Sequence, residues 1–252
     1  MNRALKAAHV GSLVMVLLLA GCDSGTSASV STGQSSAPPA STPTSPEDST
    51  SVLSEPDTSH SGEESDPGVV GITVTVPASG WSDQEGGWAM EWGPDGFDAP
   101  GGAGIIAFPG ADKEFFVYGD PCAWGSTRPD APATTVDEIV AALASQASRD
   151  ASKPEKISVG GYPGKRITLH IPDDIVVRGE DRFSDCDQGT FATLGVEGED
   201  SALSVQGRGE IDEVWILNVN GRIVLLDGGY YPQTPQDTVD ELHAILRSAT
   251  FG

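Results

Sequence analysis

Val70, Ile72, Val74 and Val76 alternate with glycine and threonine and stop at Pro77, the period-two pattern of a strand with one buried face. Trp88, Met90 and Trp92 repeat the pattern after Gly86-Gly87, and apolar runs at Gly104 to Phe108 and Phe115 to Tyr118 predict two further strands. The pattern then changes period. Thr135-Val136-Asp137-Glu138 is a capping-box sequence, and Val136, Ile139, Val140, Leu143 and Ala147 fall on one face of the helix it starts. Ile157 to Val159 and Lys165 to Ile171 flank a turn built from Gly160-Gly161-Tyr162-Pro163-Gly164 and predict a hairpin. A second hairpin, expected at the centre of the sheet, joins Val214 to Val219 and Arg222 to Asp227 through Asn220-Gly221, a dipeptide suited to the positive φ angles of a type I′ turn. A closing helix starts near Thr234-Pro235-Gln236-Asp237, with Thr234 as its cap, and buries Val239, Leu242, Ile245 and Leu246 before Phe251. Two amphipathic helices among six or more strands predict one α+β domain with a largely antiparallel sheet over residues 69–252.

Nothing before Val69 has such a pattern. From Asp23 to Gly68, 34 of 46 residues are Ser, Thr, Pro, Asp or Glu, with no Lys, Arg or aromatic residue. Such a segment buries too little apolar surface to offset its backbone entropy and is expected to be a disordered tether over 22–68. As a flexible chain it reaches roughly 35 to 40 Å, more with self-repelling acids. Its composition fits either O-glycosylation or a plain spacer. The tether is preceded by Arg3, Lys6 and an apolar run from Leu13 to Leu19, which is too short to cross roughly 30 Å of hydrocarbon. Residues 1–21 therefore predict a signal peptide. Its end, Leu19-Ala20-Gly21-Cys22, resembles the lipobox of bacterial lipoproteins. That resemblance implies a diacylglyceryl group on the Cys22 thiol, palmitate as a typical acyl chain, and a mature chain held on the outer face of the cell membrane by two acyl chains, which release slowly. The alternative is an ordinary secreted protein.

Charge narrows the partners. The chain carries 37 acids against 14 Lys and Arg, for a net charge of −23, and loss of the signal's two cations makes it −25. Nucleic acid is excluded as a partner, because displacing counterions from phosphates takes a basic patch. Once Cys22 is set aside, Cys122 and Cys186 remain, and two thiols in an exported domain most simply pair. The rival reading is a nucleophilic or redox cysteine, although no C-x-x-C is present. The loop such a bond closes gives about 4 kcal/mol by the chain-entropy argument.

The strings GDPCAW from Gly119, TTVDEIVAAL from Thr134, GGYPGKRITLHIPDD from Gly160, DCDQGTFATLG from Asp185, GEIDEVWILNVNGRIVLLDGGYY from Gly209 and ELHAILRSATF from Glu241 together resemble a group of uncharacterised actinobacterial exported proteins and lipoproteins, over about 118–252. The group implies no activity and no catalytic residues. The order of strands, helix, hairpins and closing helix is also similar to the PsbP-like sandwich of some mycobacterial lipoproteins, an analogy that implies a fold and not a function.

No nucleophile elbow, zinc-protease motif or phosphate loop occurs, so no catalytic residue and no cofactor is assigned. His170 and His243 are the two histidines of the predicted domain; His243 is expected on a helix flank at the core boundary. Glu180, Asp181, Asp185 and Asp187 form an acidic run around the second cysteine that could suit a hard cation such as Ca²⁺ or could be solvated charge. Trp215 alternates with core positions and reads as packing. Trp124, Tyr162 and Tyr230 are the aromatic candidates for an exposed contact with a small molecule, glycan or surface protein. The leading expectation is thus a membrane-anchored, non-enzymatic binding protein outside the cell, and the alternative is an envelope hydrolase or transferase whose site is not visible in sequence.

Overall fold

The computed structural model describes residues 49–54, 70–77, 80–84, 88–91, 101–110, 114–175, 183–197, 199–205 and 207–252. The signal peptide, Cys22, most of the tether and Trp92 lie outside them. In chain order the strands are β1 (Ser49–Ser54), β2 (Ile72–Val76), β3 (Trp81–Gln84), β4 (Trp88–Glu91), β5 (Ala103–Phe108), β6 (Phe115–Val117), β7 (Asp150–Ala151), β8 (Glu155–Val159), β9 (Tyr162–His170), β10 (Ala192–Val196), β11 (Glu199–Ser204), β12 (Ile211–Val219), β13 (Arg222–Tyr230) and β14 (Thr250–Phe251). The helices are α1 (Trp124–Thr127), α2 (Val136–Ala144) and α3 (Gln236–Ser248), with a single 3₁₀ turn at Asp187–Gly189. The architecture is α+β, with antiparallel pairing throughout the described strands.

The large sheet runs β3-β4-β5-β13-β12-β9-β7, with β8 also paired to β9. The hairpin of β12 and β13 sits at its centre, and its turn is Asn220-Gly221 with φ of 54° and 88°, both left-handed as a type I′ turn requires. Because this hairpin is covered on both faces, Trp215, Leu217, Val224 and Leu226 pack on one side while Val214, Ile216 and Leu225 pack on the other. The first side is closed by β2 and α3, whose Leu242, Ile245 and Leu246 join Ile72 and Val74. Gly228 permits that approach, since a Cβ there would lie 2.8 Å from Leu242 Cδ2 and 3.0 Å from Leu246 Cδ1. The second side is closed by α2 and by a small sheet ordered β11-β10-β6, through Ile139, Leu143, Leu194 and Val117.

Helix α2 starts as its capping box dictates: the Glu138 backbone N–H donates to Thr135 Oγ1 at 3.2 Å, and the Glu138 carboxylate accepts from the Thr135 N–H at 3.1 Å. It stops at Ala144, so Ala147, expected on its buried face, is exposed. The first hairpin turns on Gly160-Gly161 alone, and Tyr162-Pro163-Gly164 already belong to β9. Thr234 does not cap α3. The cap position is Pro235, and the Thr234 hydroxyl instead accepts from the Tyr231 N–H at 3.0 Å and donates to the Gly102 carbonyl at 2.8 Å, tying the start of β5 to the end of β13. Within the stretch whose composition predicts a tether, Ser49–Ser54 pairs with β2. An open strand edge recruits through backbone groups that every non-proline residue has, so side-chain composition alone does not forbid the pairing.

Candidate functional site

The disulfide Cys122–Cys186 is formed, with Cα atoms 4.4 Å apart. It pins the loop after β6 to the 3₁₀ turn, and the surrounding contacts reinforce the pin. The Asp187 N–H donates to the Cys122 carbonyl at 2.8 Å, and the Asp187 carboxylate accepts from the Gly125 N–H at 2.9 Å. Trp124, expected as an exposed contact, is buried here. Its indole N–H donates to the Asp187 carbonyl at 2.9 Å, and its ring packs 5.9 Å from that of Tyr118. The cross-link draws the Trp124 loop inward, a long-range constraint that loop composition does not carry.

Among the described residues no group of three His, Cys, Asp or Glu side chains is placed to hold a metal. Of the acidic run, one Asp187 oxygen accepts from Gly125, Asp185 is exposed beside the Ser184 hydroxyl, and Glu180 and Asp181 lie outside the described residues. The three aromatic candidates are also not brought together. Tyr162 stacks edge-on to Phe251 at 5.6 Å and accepts from the Asn220 amide at 3.2 Å, near the hairpin turn. Tyr230 pairs with Ile211 at the far end of the same hairpin, roughly 27 Å away along β12 at about 3.4 Å per residue.

Tyr230 instead joins a different constellation on the α3 side. Glu213 Oε1 lies 2.9 Å from His243 Nε2 of α3 and accepts from the Tyr230 hydroxyl at 3.3 Å, while Arg166 Nη1 of β9 is 3.8 Å from Glu213 Oε2. These groups meet because β9, β12 and β13 are adjacent and in register, with Arg166 opposite Trp215 and Tyr230 opposite Ile211, and because His243 projects from α3 onto them. Burial pushes the Glu213 carboxyl up, but the hydrogen bond and charge of His243, the charge of Arg166 and the Tyr230 hydroxyl outweigh it, so the carboxyl titrates below its usual range. Tyr230 moves the other way: burial, then the Glu213 charge, raise its phenol to about 12.

The opposite side of the same hairpin carries a drier cluster. Arg149 donates through Nη2 to Asp212 Oδ2 at 2.6 Å and through Nη1 to Thr193 Oγ1 at 2.7 Å, with both charged side chains buried. Asp227 lies on this side too, directly across from Val214, and its Oδ1 is buried without a hydrogen bond. Burial first, then the nearby Asp212 and Glu210 charges, raise the Asp227 carboxyl well above its usual value despite Arg149. A neutral acid is the form this surrounding favours. A separate apolar cleft of about 210 Å³ opens between β6, the 129–133 loop and α2, lined by Val117, Pro129, Ala131, Pro132, Ala133 and Ala142, with Glu138 among its walls.

The sequence pointed to Tyr230 and His243 one by one, but to neither Glu213 nor Asp227. The available signal was the run Ile211-Asp212-Glu213-Val214-Trp215: two adjacent acids inside a central strand must face opposite sides, so each needs its own partner.

No protein-family model and no curated protein matches the chain. Among solved structures it is similar to LpqN of Mycobacterium tuberculosis, described as involved in cell envelope biogenesis, at 11% identity over 81% of this chain and 91% of that one, with a TM-score of 0.38. It is also similar to cyanobacterial PsbP (CyanoP) from Synechocystis sp. PCC 6803, at 13% identity over 79% of this chain and 100% of that one, with a TM-score of 0.31. Likenesses this distant carry no argument about activity.

Proposed function

We propose that this chain is an exported, lipid-anchored protein of the cell envelope whose disulfide-stapled domain acts outside the membrane by binding a ligand. The observation that carries the reading is the Cys122–Cys186 cross-link, a bond that persists in oxidising compartments, in a chain that opens with an apolar run ending in Leu19-Ala20-Gly21-Cys22. Among the described residues no helix is long and apolar enough to cross a membrane, and the anchor in this reading is the lipid on Cys22. Binding is favoured over turnover because the groups with shifted titration are tied into the fold: Glu213 is held by His243 and Tyr230, and Asp227 is sealed in the interior.

Growth of the expressing cells with an alkyne-tagged palmitate tests the anchor. The full chain should take up the tag and partition with membranes, and Cys22→Ala should lose the tag and appear in the medium with Cys122 and Cys186 cross-linked. An untagged wild-type chain, or two free thiols in the exported protein, overturns the reading. The alternative, an envelope hydrolase or transferase, draws on the Glu213–His243 pair as an acid–base centre. Turnover of an envelope substrate that disappears in Glu213→Gln would replace binding with catalysis.

A further inference from the structure

β2 is held along both of its edges, and the two holds differ in kind. Toward β14, Gly71 and Gly252 exchange two backbone hydrogen bonds of 3.0 Å, and the Thr75 N–H donates to Ser248 Oγ at 2.8 Å. Strand geometry therefore turns the backbone groups of Gly71, Thr73 and Thr75 to that edge and those of Ile72, Val74 and Val76 to the other, where β1 lies. The antiparallel register sets Ser49 opposite Val76 and Ser51 opposite Val74, so these pairs share the bonds while the Thr50 N–H faces away from β2. β2 is fixed whether or not β1 is paired, because Ile72, Val74 and Val76 are buried with Leu242, Ile245 and Leu246 of α3. β1 is the weaker partner: it ends the order β1-β2-β14, its register slips between Val52 and Ser54, and four of its six residues are Ser or Thr. Pairing of that length adds hydrogen bonds of modest net worth and orders six residues of backbone, so gain and cost nearly cancel and the strand opens more easily than the core.

We propose that Ser49–Ser54 is a releasable strap that sets how far the domain stands from its anchor. With β1 paired, the chain free to extend between Cys22 and the domain is residues 23–48, at most about 90 Å at full extension. With β1 released it is residues 23–71, at most about 170 Å. The limit nearly doubles with no other change in the fold, since β2 keeps its bonds to Gly252 and Ser248 and its packing on α3. The distance from the membrane rests on the lipid-anchor reading, whereas the strap itself does not.

The test uses the full chain with Cys22→Ala, so that its outcome does not depend on lipidation. Ser51→Pro removes a donor that points at Val74, whereas Thr50→Pro removes one that points away, a place where an edge strand tolerates proline. Amide hydrogen exchange is then followed residue by residue. Val74 and Val76 should exchange at least about tenfold faster in Ser51→Pro and at the unsubstituted rate in Thr50→Pro. Gly71 and Thr75, bonded to Gly252 and Ser248 instead, should keep their protection in both and report that the domain stays folded. Dyes on Ser24→Cys and the exposed Ala244→Cys, with Cys122 and Cys186 held in their disulfide, should move apart on average in Ser51→Pro alone. Val74 exchange that is the same with and without Ser51→Pro, or that Thr50→Pro accelerates equally, overturns the strap. An unchanged dye separation once Val74 has lost its protection overturns its role in setting reach. If both readouts respond as expected while the wild-type chain takes up no palmitate, the strap stands and the anchor reading alone is lost.

Discussion

Asp212 and Glu213 are consecutive on β12, yet they face opposite sides of the large sheet and meet opposite electrostatic conditions. On the α3 side, the burial of Glu213 is outweighed by His243, Arg166 and Tyr230, so the fold holds it charged. On the α2 side, Asp212 takes the Arg149 charge directly at 2.6 Å, and Asp227 nearby is left with burial and like charges, so the fold favours its neutral form. The lesson is that one cation serves one carboxylate in a dry interior. The second acid in the same space avoids the desolvation cost by keeping its proton.

The largest effect expected is from removing the cation that sets the contrast. Arg149→Met strands Asp212 beside Asp227 and should destabilise the domain by about 3 to 5 kcal/mol, read from urea unfolding near neutral pH. A loss within about 1 kcal/mol would mean that Arg149 does not control the cluster. Removing Cys122–Cys186 by a double Cys→Ser change should cost about 2 to 5 kcal/mol while leaving the contrast between the two faces intact, since neither cysteine touches it.

The pH dependence should separate the two faces by sign. Asp227 titrates above its usual value near 3.8 in the folded state, so its contribution is complete at acid pH and is lost as pH rises through the folded value. Asp227→Asn should therefore abolish part of the stability lost on going from acid to neutral and alkaline pH. Glu213 titrates below its usual value near 4.5, so its contribution is complete above that value and is lost as pH falls through the folded one. Glu213→Gln should cost about 1 to 2 kcal/mol near neutral pH and little once the pH has fallen through the folded value, measured by chemical denaturation across the range. Parallel pH profiles for the two variants would erase the distinction. The smallest effect belongs to the exposed pair of Lys165 and Asp137 on the α2 side, 2.7 Å apart, where Lys165→Gln should change stability by less than about 0.5 kcal/mol.

Much of the fold was legible in the sequence. The capping box at Thr135, the Asn220-Gly221 turn, the alternation in β2 and the apolar face of α3 are local patterns, and each appears where the pattern predicts it. The errors have a common form. Thr234 looked like a cap because Ser and Thr before a helix usually are, but the Gly102 carbonyl, 132 residues away, competes for its hydroxyl. Trp124 looked exposed in a loop rich in glycine and proline, but its indole donates to the Asp187 carbonyl beside the Cys122–Cys186 bond, and its ring is buried.

Local and covalent features are therefore what the sequence settled: the alternation of β2, the start of α2, the turn of the central hairpin, and which two thiols of the domain were free to pair. What the tertiary structure decided is which distant groups share a dry space. Arg149 and Asp212 are 63 residues apart, and His243 and Glu213 are 30 apart. Periodicity reports which face a side chain takes, because that depends on one strand alone. Its charge state depends on what the other elements bring to that face, and only the packed sheet contains that information.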